Sequence, residues 1–173
     1  KVPFVWIFSL LIILTMASPA GEMDSTIWQV GMARLEVTLT ESLWLAGYAA
    51  RDHSATGTLH PLWIKAMTVR DRHGHTGVIV TSDLLGFPGE MADSIKRRCA
   101  EKYQLDRAHI IISSSHTHSG PVLAGSLYDI YDFTLQDVVS IEGYSAQLQE
   151  QVVQVIGEAF ACMQPARLYA ATG

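Results

Sequence analysis

Two histidines separated by one residue, His116 and His118, are the side chains of this sequence best suited to chemistry. They follow three serines and precede a Ser-Gly-Pro run that ends at Pro121. Imidazole nitrogen binds zinc readily, and histidine also transfers protons near neutral pH. The pair therefore predicts a metal site or an acid–base pair. The simpler alternative is two histidines that are only hydrogen-bonded within a loop.

An apolar run, Ile110–Ile112, leads into the serines and predicts a buried strand whose polar end carries the histidines. If the chain stays extended through Thr117, both imidazoles project to the same side, because side chains alternate along a strand. Catalytic zinc sites use about three protein ligands and a water. His116 and His118 could supply one or two of these ligands.

A strand–helix–strand pattern precedes the histidines. Gly77–Ser82 is an apolar strand that ends at Asp83, Pro88–Tyr103 has helical periodicity, and the strand at Ile110 follows. Residues 77 to 114, approximately, therefore predict a parallel, right-handed βαβ unit. Ligands bind beyond the carboxyl ends of such strands, where Asp83 and His116 both fall. Three roles are open for Asp83: a third ligand, a partner that orients a histidine or, most simply, a turn residue at the end of the strand.

The predicted fold class is α/β, a mixed sheet with at least one parallel βαβ unit and flanking helices, forming an incomplete domain. Periodicity and turn residues predict the other elements: strands over Gln29–Thr38 and Leu62–Arg70, a hairpin turn at Asp71–His75, a loop over Val122–Tyr144, a helix from Ser145 to about Met163, and a strand from Arg167.

Four other histidines are weaker candidates. His73 and His75 flank a turn glycine and are expected to be exposed hairpin residues. His53 and His60 lie in a loop, and their pattern favours neither a functional nor a structural role.

Length and composition limit the class of protein. A chain of 173 residues that is 49% hydrophobic and 17% charged is long enough for one domain with its own core. Its net charge of −5 argues against a general nucleic-acid binder. Cys99 and Cys162 fall on predicted helices among apolar neighbours, so two buried free thiols are at least as plausible as a disulfide.

Residues 1–20 predict a secretory signal peptide. Lys1 precedes a run from Phe4 to Ala17 that is apolar except for a serine and a threonine, and small residues follow up to Ala20. A bilayer-spanning helix needs about 20 apolar residues, so a retained membrane anchor is the less favoured alternative. We therefore expect a secreted or extracytoplasmic protein.

The segment Ser115–Pro121, reading S-H-T-H-S-G-P, resembles the signature of the neutral/alkaline non-lysosomal ceramidases. Three further motifs of that family match in order: G-M-A-R at Gly31–Arg34, L-A-G-Y-A at Leu45–Ala49 and the strand Val78–Asp83. Four ordered matches make this resemblance far more specific than the histidine pair alone.

The resemblance implies an amidohydrolase with one catalytic Zn²⁺ that cleaves the amide of N-acylsphingosine to give sphingosine and a fatty acid. In that family's pattern His116 is a zinc ligand, whereas His118 lines the active site and assists catalysis. The implied partner is a lipid amide, with contact to a membrane surface and no nucleic acid; the oligomeric state is left open.

The same resemblance implies that residues 21–173 form the N-terminal portion of the catalytic domain, truncated at its C-terminal end. The other zinc ligands and a catalytic serine are expected downstream, so the fragment is expected to be inactive alone. Two positions depart from the family pattern: Leu59 replaces a histidine and Lys65 an arginine. The alternatives are a ceramidase-like hydrolase acting on another amide or ester, and a non-catalytic secreted binding domain.

Overall fold

A computed structural model of the chain describes residues 28–169 and 171, and the predicted signal segment lies outside them. The described part forms one five-stranded mixed sheet with two α-helices and one short 3₁₀ helix. The elements are β1 Trp28–Glu36, β2 Trp63–Arg70, β3 Thr76–Ser82, α1 Gly89–Tyr103, the 3₁₀ helix Arg107–His109, β4 Ile110–Ser114, α2 Leu135–Ala161 and β5 Gln164–Ala166.

The strand order is β4-β3-β2-β1-β5, and only the pair of β3 and β4 among these strands is parallel. The predicted hairpin is confirmed, because β2 and β3 are antiparallel and the backbone N–H of Asp71 donates to the His75 carbonyl across the turn, at 3.0 Å. The predicted βαβ unit is also confirmed, since α1 connects the parallel strands β3 and β4. The α/β fold class is therefore correct.

Both α-helices contribute to one apolar core on the sheet. Inward side chains such as Ile64 and Val80 share this core with Ile95 of α1 and with Val152 and Ile156 of α2. Alternation places the other side chains of each strand on the opposite face. The strand register there aligns an apolar row across four strands, in which Met32 is 69% exposed, Ile79 38% and Ile111 58%, while Met67 is half-buried. No helix among the described residues covers this row.

The start of α2 corrects the sequence prediction. The helix begins at Leu135, so the predicted loop over Val122–Tyr144 is wrong in its last ten residues. Thr134 and Asp137 form a capping box, in which the hydroxyl of Thr134 accepts from the Asp137 N–H and the Asp137 carboxylate accepts from the Thr134 N–H. Ser145 is consequently not a cap: it is buried inside α2, and its Oγ accepts from the N–H of Ala124 at 2.8 Å.

Two smaller predictions are also corrected. The last strand is β5, which pairs with β1 over Gln164–Ala166, whereas Arg167 lies beyond it. Cys99 is buried on α1, as expected, but Cys162 is exposed at the end of α2, and both thiols are free. Burial raises the pKa of the Cys99 thiol to about 11, which keeps it protonated and unreactive at neutral pH.

No helix in the described ranges is long and apolar enough to cross a membrane.

The contact between β1 and α2 depends on Gly31. A Cβ at this position would lie 1.8 Å from the backbone carbonyl oxygen of Ala159, so the strand and the helix could not both keep their places. We expect Gly31→Ala to lower the free energy of unfolding by about 3 kcal/mol or more. Urea denaturation measures this loss, and unchanged stability would contradict the packing. Gly143→Ala is the control: it lies inside α2 with no described atom near its Cβ, and we expect a gain of about 0.5–1 kcal/mol.

Candidate active site beyond β3 and β4

The loops that follow β3 and β4 leave the sheet side by side. The backbone N–H of Ser115 donates to the carbonyl of Ser82 at 2.9 Å, which continues the strand pairing for one residue beyond β4. The hydroxyls of Ser82 and Ser114 are also hydrogen-bonded, at 2.9 Å. Because the two strands are parallel, both loops emerge at the same edge of the sheet, which is the usual position of ligands in α/β folds.

His116 turns away from the strand direction. Its φ of 59° lies in the left-handed region, so the chain does not stay extended through Thr117. The turn allows Nδ1 of His116 to hydrogen-bond the carbonyl oxygen of Leu85 at 2.8 Å. A carbonyl can only accept, so Nδ1 carries the proton and Nε2 of the neutral ring has a free lone pair. The side chain is exposed at the edge of the sheet.

His118 lies beside His116 despite the turn between them. The two ring centroids are 5.2 Å apart and the rings are tilted by 62°. The ring of His118 also contacts the ring of Tyr48, edge to face, with a centroid distance of 5.0 Å. The prediction that the two imidazoles are neighbours is therefore correct, although an extended strand is not the reason.

The segment Leu45–Ala49 forms the second wall of the site. Leu45 and Pro121 form an antiparallel bridge, in which the Ala46 N–H donates to the carbonyl of Gly120 at 2.8 Å. Two motifs that are about 70 residues apart in the sequence are thus paired directly. Neither their spacing nor any local periodicity predicts this contact.

Gly47 brings the backbone of this wall against His118. Its φ is +111°, and a Cβ there would lie 2.4 Å from Cγ and 2.8 Å from Cα of His118. The N–H of Gly47 donates to the hydroxyl of Tyr131, at 3.1 Å. The buried Tyr131 thereby fixes the glycine against the histidine, a role for which the sequence carries no separate signal.

Asp83 directly follows β3 and is hydrogen-bonded to Trp63, the first residue of β2. Its backbone N–H donates to the carbonyl of Trp63, and its carboxylate Oδ2 accepts from the Trp63 N–H, both at 3.0 Å. These contacts favour the strand-end role among the three that the sequence leaves open for Asp83.

The other histidines lie in different surroundings. His73 and His75 are exposed in the hairpin turn, as expected, and Nδ1 of His75 contacts the Asp71 carboxylate. His53 is exposed beside Asp52, whereas His60 lines a groove that extends to Thr117 and Ser119. Within residues 28–169 and 171, no three His, Cys, Asp or Glu side chains are grouped closely enough to hold a metal ion.

The groove beside the histidines has a volume of about 610 Å³. Its lining mixes hydroxyl groups with leucines; Leu59, which is 97% exposed, belongs to it. Thr117 and Ser119, which flank His118 in the chain, form one part of its wall. A molecule in the groove would therefore contact the residues on both sides of His118 in the chain.

Comparison with known proteins agrees with this architecture. The sequence model described as neutral/alkaline non-lysosomal ceramidase, N-terminal, matches residues 28–173. The chain belongs to this family. No curated protein sequence matches it.

Two solved structures share the fold of this family member. The neutral ceramidase from Pseudomonas aeruginosa superposes with a TM-score of 0.65 at 22% identity, covering 82% of this chain and 23% of that one. A ceramidase complexed with C2 gives a TM-score of 0.64 at 19% identity, covering 81% of this chain and 22% of the other. The chain therefore spans less than a quarter of the length of either solved ceramidase.

Proposed function

We propose that this chain is the N-terminal portion of the catalytic domain of an exported, zinc-dependent amidohydrolase that cleaves N-acylsphingosine to sphingosine and a fatty acid. Membership of the ceramidase family supports the class of enzyme. The observation that carries the metal assignment is the hydrogen bond from Nδ1 of His116 to the carbonyl of Leu85.

The surroundings of His116 fit a zinc ligand. Histidines that bind metals almost always donate their other ring N–H to a carbonyl, a carboxylate or a water, which fixes the tautomer and the ring orientation. His116 already makes this bond, so its Nε2 is available at the edge of the sheet. Its left-handed backbone is of a kind that is enriched at functional sites. Bound zinc supplies a Lewis acid and lowers the pKa of a water at its open position.

His118 is proposed to act on the substrate rather than on the metal. Its ring lies 5.2 Å from that of His116, close enough for both to face one reacting group. Held there, its imidazole can donate a hydrogen bond to the oxygen of the amide as negative charge develops, or transfer a proton to the leaving nitrogen. Contacts from Gly47 and Tyr48 keep the ring in this position.

The neighbouring groove supports a lipid amide as the substrate. Both leucines and hydroxyl-bearing residues line it, which suits a molecule with alkyl chains next to amide and hydroxyl groups. The same lining also accommodates other N-acyl amines, so a related amide is the second candidate substrate.

The rest of the site is proposed to come from a longer polypeptide. A catalytic zinc takes about three protein ligands, of which His116 supplies one. We therefore expect the chain alone to be inactive, and the tests of activity below use the full-length protein.

A substrate panel tests this proposal. We expect the full-length protein to hydrolyse a fluorogenic N-acylsphingosine with a kcat/KM at least about tenfold above that for N-acylethanolamines and simple acyl esters of equal chain length, because the sphingoid base adds contacts in the groove. Equal rates across the panel would favour the second candidate. The absence of turnover on every amide and ester would leave a binding protein as the better description.

A further inference from the structure

Arg51 approaches the candidate site from the segment that follows Leu45–Ala49. Its Nη2 donates a hydrogen bond to the backbone carbonyl oxygen of His118 at 3.0 Å. Its guanidinium carbon lies 5.7 Å from the centroid of the Tyr48 ring, and its backbone N–H donates to the Tyr48 carbonyl at 3.1 Å. Arg51 therefore contacts the main chain of His118, and Tyr48 contacts its ring.

The backbone at His118 needs such a partner. The residue lies in a turn beyond β4, outside the hydrogen-bonded ladder of the sheet. A half-buried carbonyl without a partner is unfavourable, and a guanidinium group makes the stronger, charge-assisted kind of hydrogen bond. Arg51 supplies it from a side chain that is half-buried itself.

Not every buried donor of Arg51 has a hydrogen-bond partner within the part of the chain that the structure describes. Its Nε is buried and has no hydrogen-bond partner among the described residues. Burying a charged group with an unsatisfied donor is costly, so stability alone does not account for this arginine. An unpaired buried donor calls for an explanation, and a role at the neighbouring histidine pair supplies one.

We propose that Arg51 is a positioning residue, which clamps the main chain of His118 and, through Tyr48, fixes its imidazole beside His116. Only the expected effect of Arg51 on catalysis rests on the proposed function. The clamp itself is a property of the chain and can be measured without turnover.

The catalytic test uses the full-length protein with Arg51→Ala and Arg51→Lys. We expect Arg51→Ala to lower kcat by about 10- to 100-fold with KM changed less than about threefold, because the substrate still binds while His118 is misplaced. Zinc content should stay as in the wild type. Arg51→Lys should lose less, since an ammonium group donates to the carbonyl but lacks the planar fork of arginine.

Chemical rescue separates positioning from simple stabilisation. We expect added methylguanidine to restore part of the kcat of Arg51→Ala, because it can occupy the vacated space and donate to the His118 carbonyl. Arg34→Ala is the control: Arg34 lies over the Trp63 ring at 4.8 Å, on the strand β1. It should neither lose activity nor respond to methylguanidine. Unchanged kcat in both Arg51 variants would overturn the proposal, as would a loss of kcat that follows loss of zinc and is not rescued.

A readout independent of activity uses the ring of His118 in NMR spectra of the labelled full-length protein. We expect the His118 Cε1–Hε1 signal to shift or broaden in Arg51→Ala and to stay unchanged in Arg34→Ala. An unchanged signal refutes the clamp even if the enzyme is a ceramidase. A shifted signal in a protein without amidase activity supports the clamp and refutes the proposed function instead. If Arg51→Ala does not fold, Arg51→Lys decides by the same measurements.

Discussion

His116→Ala is expected to remove zinc from the full-length protein and to lower kcat/KM for N-acylsphingosine by about 10³-fold or more. In the wild type, Nδ1 of His116 bonds the Leu85 carbonyl and Nε2 is left for the proposed metal; alanine has no such nitrogen, and a catalytic zinc site has few ligands to lose. Metal analysis of the purified variant gives the zinc stoichiometry, and turnover of the fluorogenic substrate gives the rate. Full zinc occupancy in His116→Ala would exclude the ligand assignment.

Two matched variants separate the metal from other effects of losing a histidine. His75→Ala removes an exposed imidazole from the hairpin turn and should leave zinc and activity as in the wild type. His118→Ala should keep most of the zinc while losing kcat, since its proposed role is in proton transfer and oxyanion stabilisation. Loss of zinc in both His116→Ala and His118→Ala would mean that the two histidines share the metal.

Much of the sheet could be predicted because its signals are local. Apolar runs that end in polar residues located β3 and β4, and the helical spacing between them located α1. The turn at Asp71–His75 contains a glycine with a φ of +87°, a conformation that favours glycine and so marks the hairpin in the sequence. Strand pairs joined by one turn or one crossover helix leave few arrangements, so the topology followed from the elements.

The start of α2 was missed for a different reason. Thr134 and Asp137 carry the T-x-x-D spacing of a capping box, but the next turns expose Leu135 and Val139 and bury Ile141. Apolar residues on both sides of the helix weaken the periodicity that would otherwise have identified these turns. The capping residues were the better signal here.

The candidate site was predictable in its chemistry but not in its geometry. The types and spacing of His116 and His118 indicated a metal or acid–base pair, and the structure makes them neighbours. Their relative position, however, depends on a left-handed turn and on contacts from Gly47 and Arg51, more than 60 residues earlier. Such tertiary contacts leave no periodic pattern in one sequence, because nothing about them repeats.

Gly47→Ala is expected to disable the site while leaving the fold intact. Its Cβ would lie 2.6 Å from Cβ and 2.8 Å from Cα of His118, so the backbone of one of the two loops must move. A displacement of about 1 Å at a catalytic group commonly costs about 10²-fold in rate. We therefore expect kcat/KM to fall by about 10²-fold or more, and the free energy of unfolding to fall by about 1–3 kcal/mol.

Gly74→Ala distinguishes the steric clash from the cost of a positive φ. Gly74 has a φ of +87° in the hairpin turn, and no described atom lies within 4 Å of a Cβ built there. The Gly74→Ala variant should lose about 1–2 kcal/mol of its free energy of unfolding, because alanine is strained in a left-handed backbone, and none of its activity. Steady-state kinetics and thermal unfolding of both variants make the comparison. If Gly47→Ala behaves like Gly74→Ala, His118 does not depend on close contact with this glycine, and the paired loops are not what positions it.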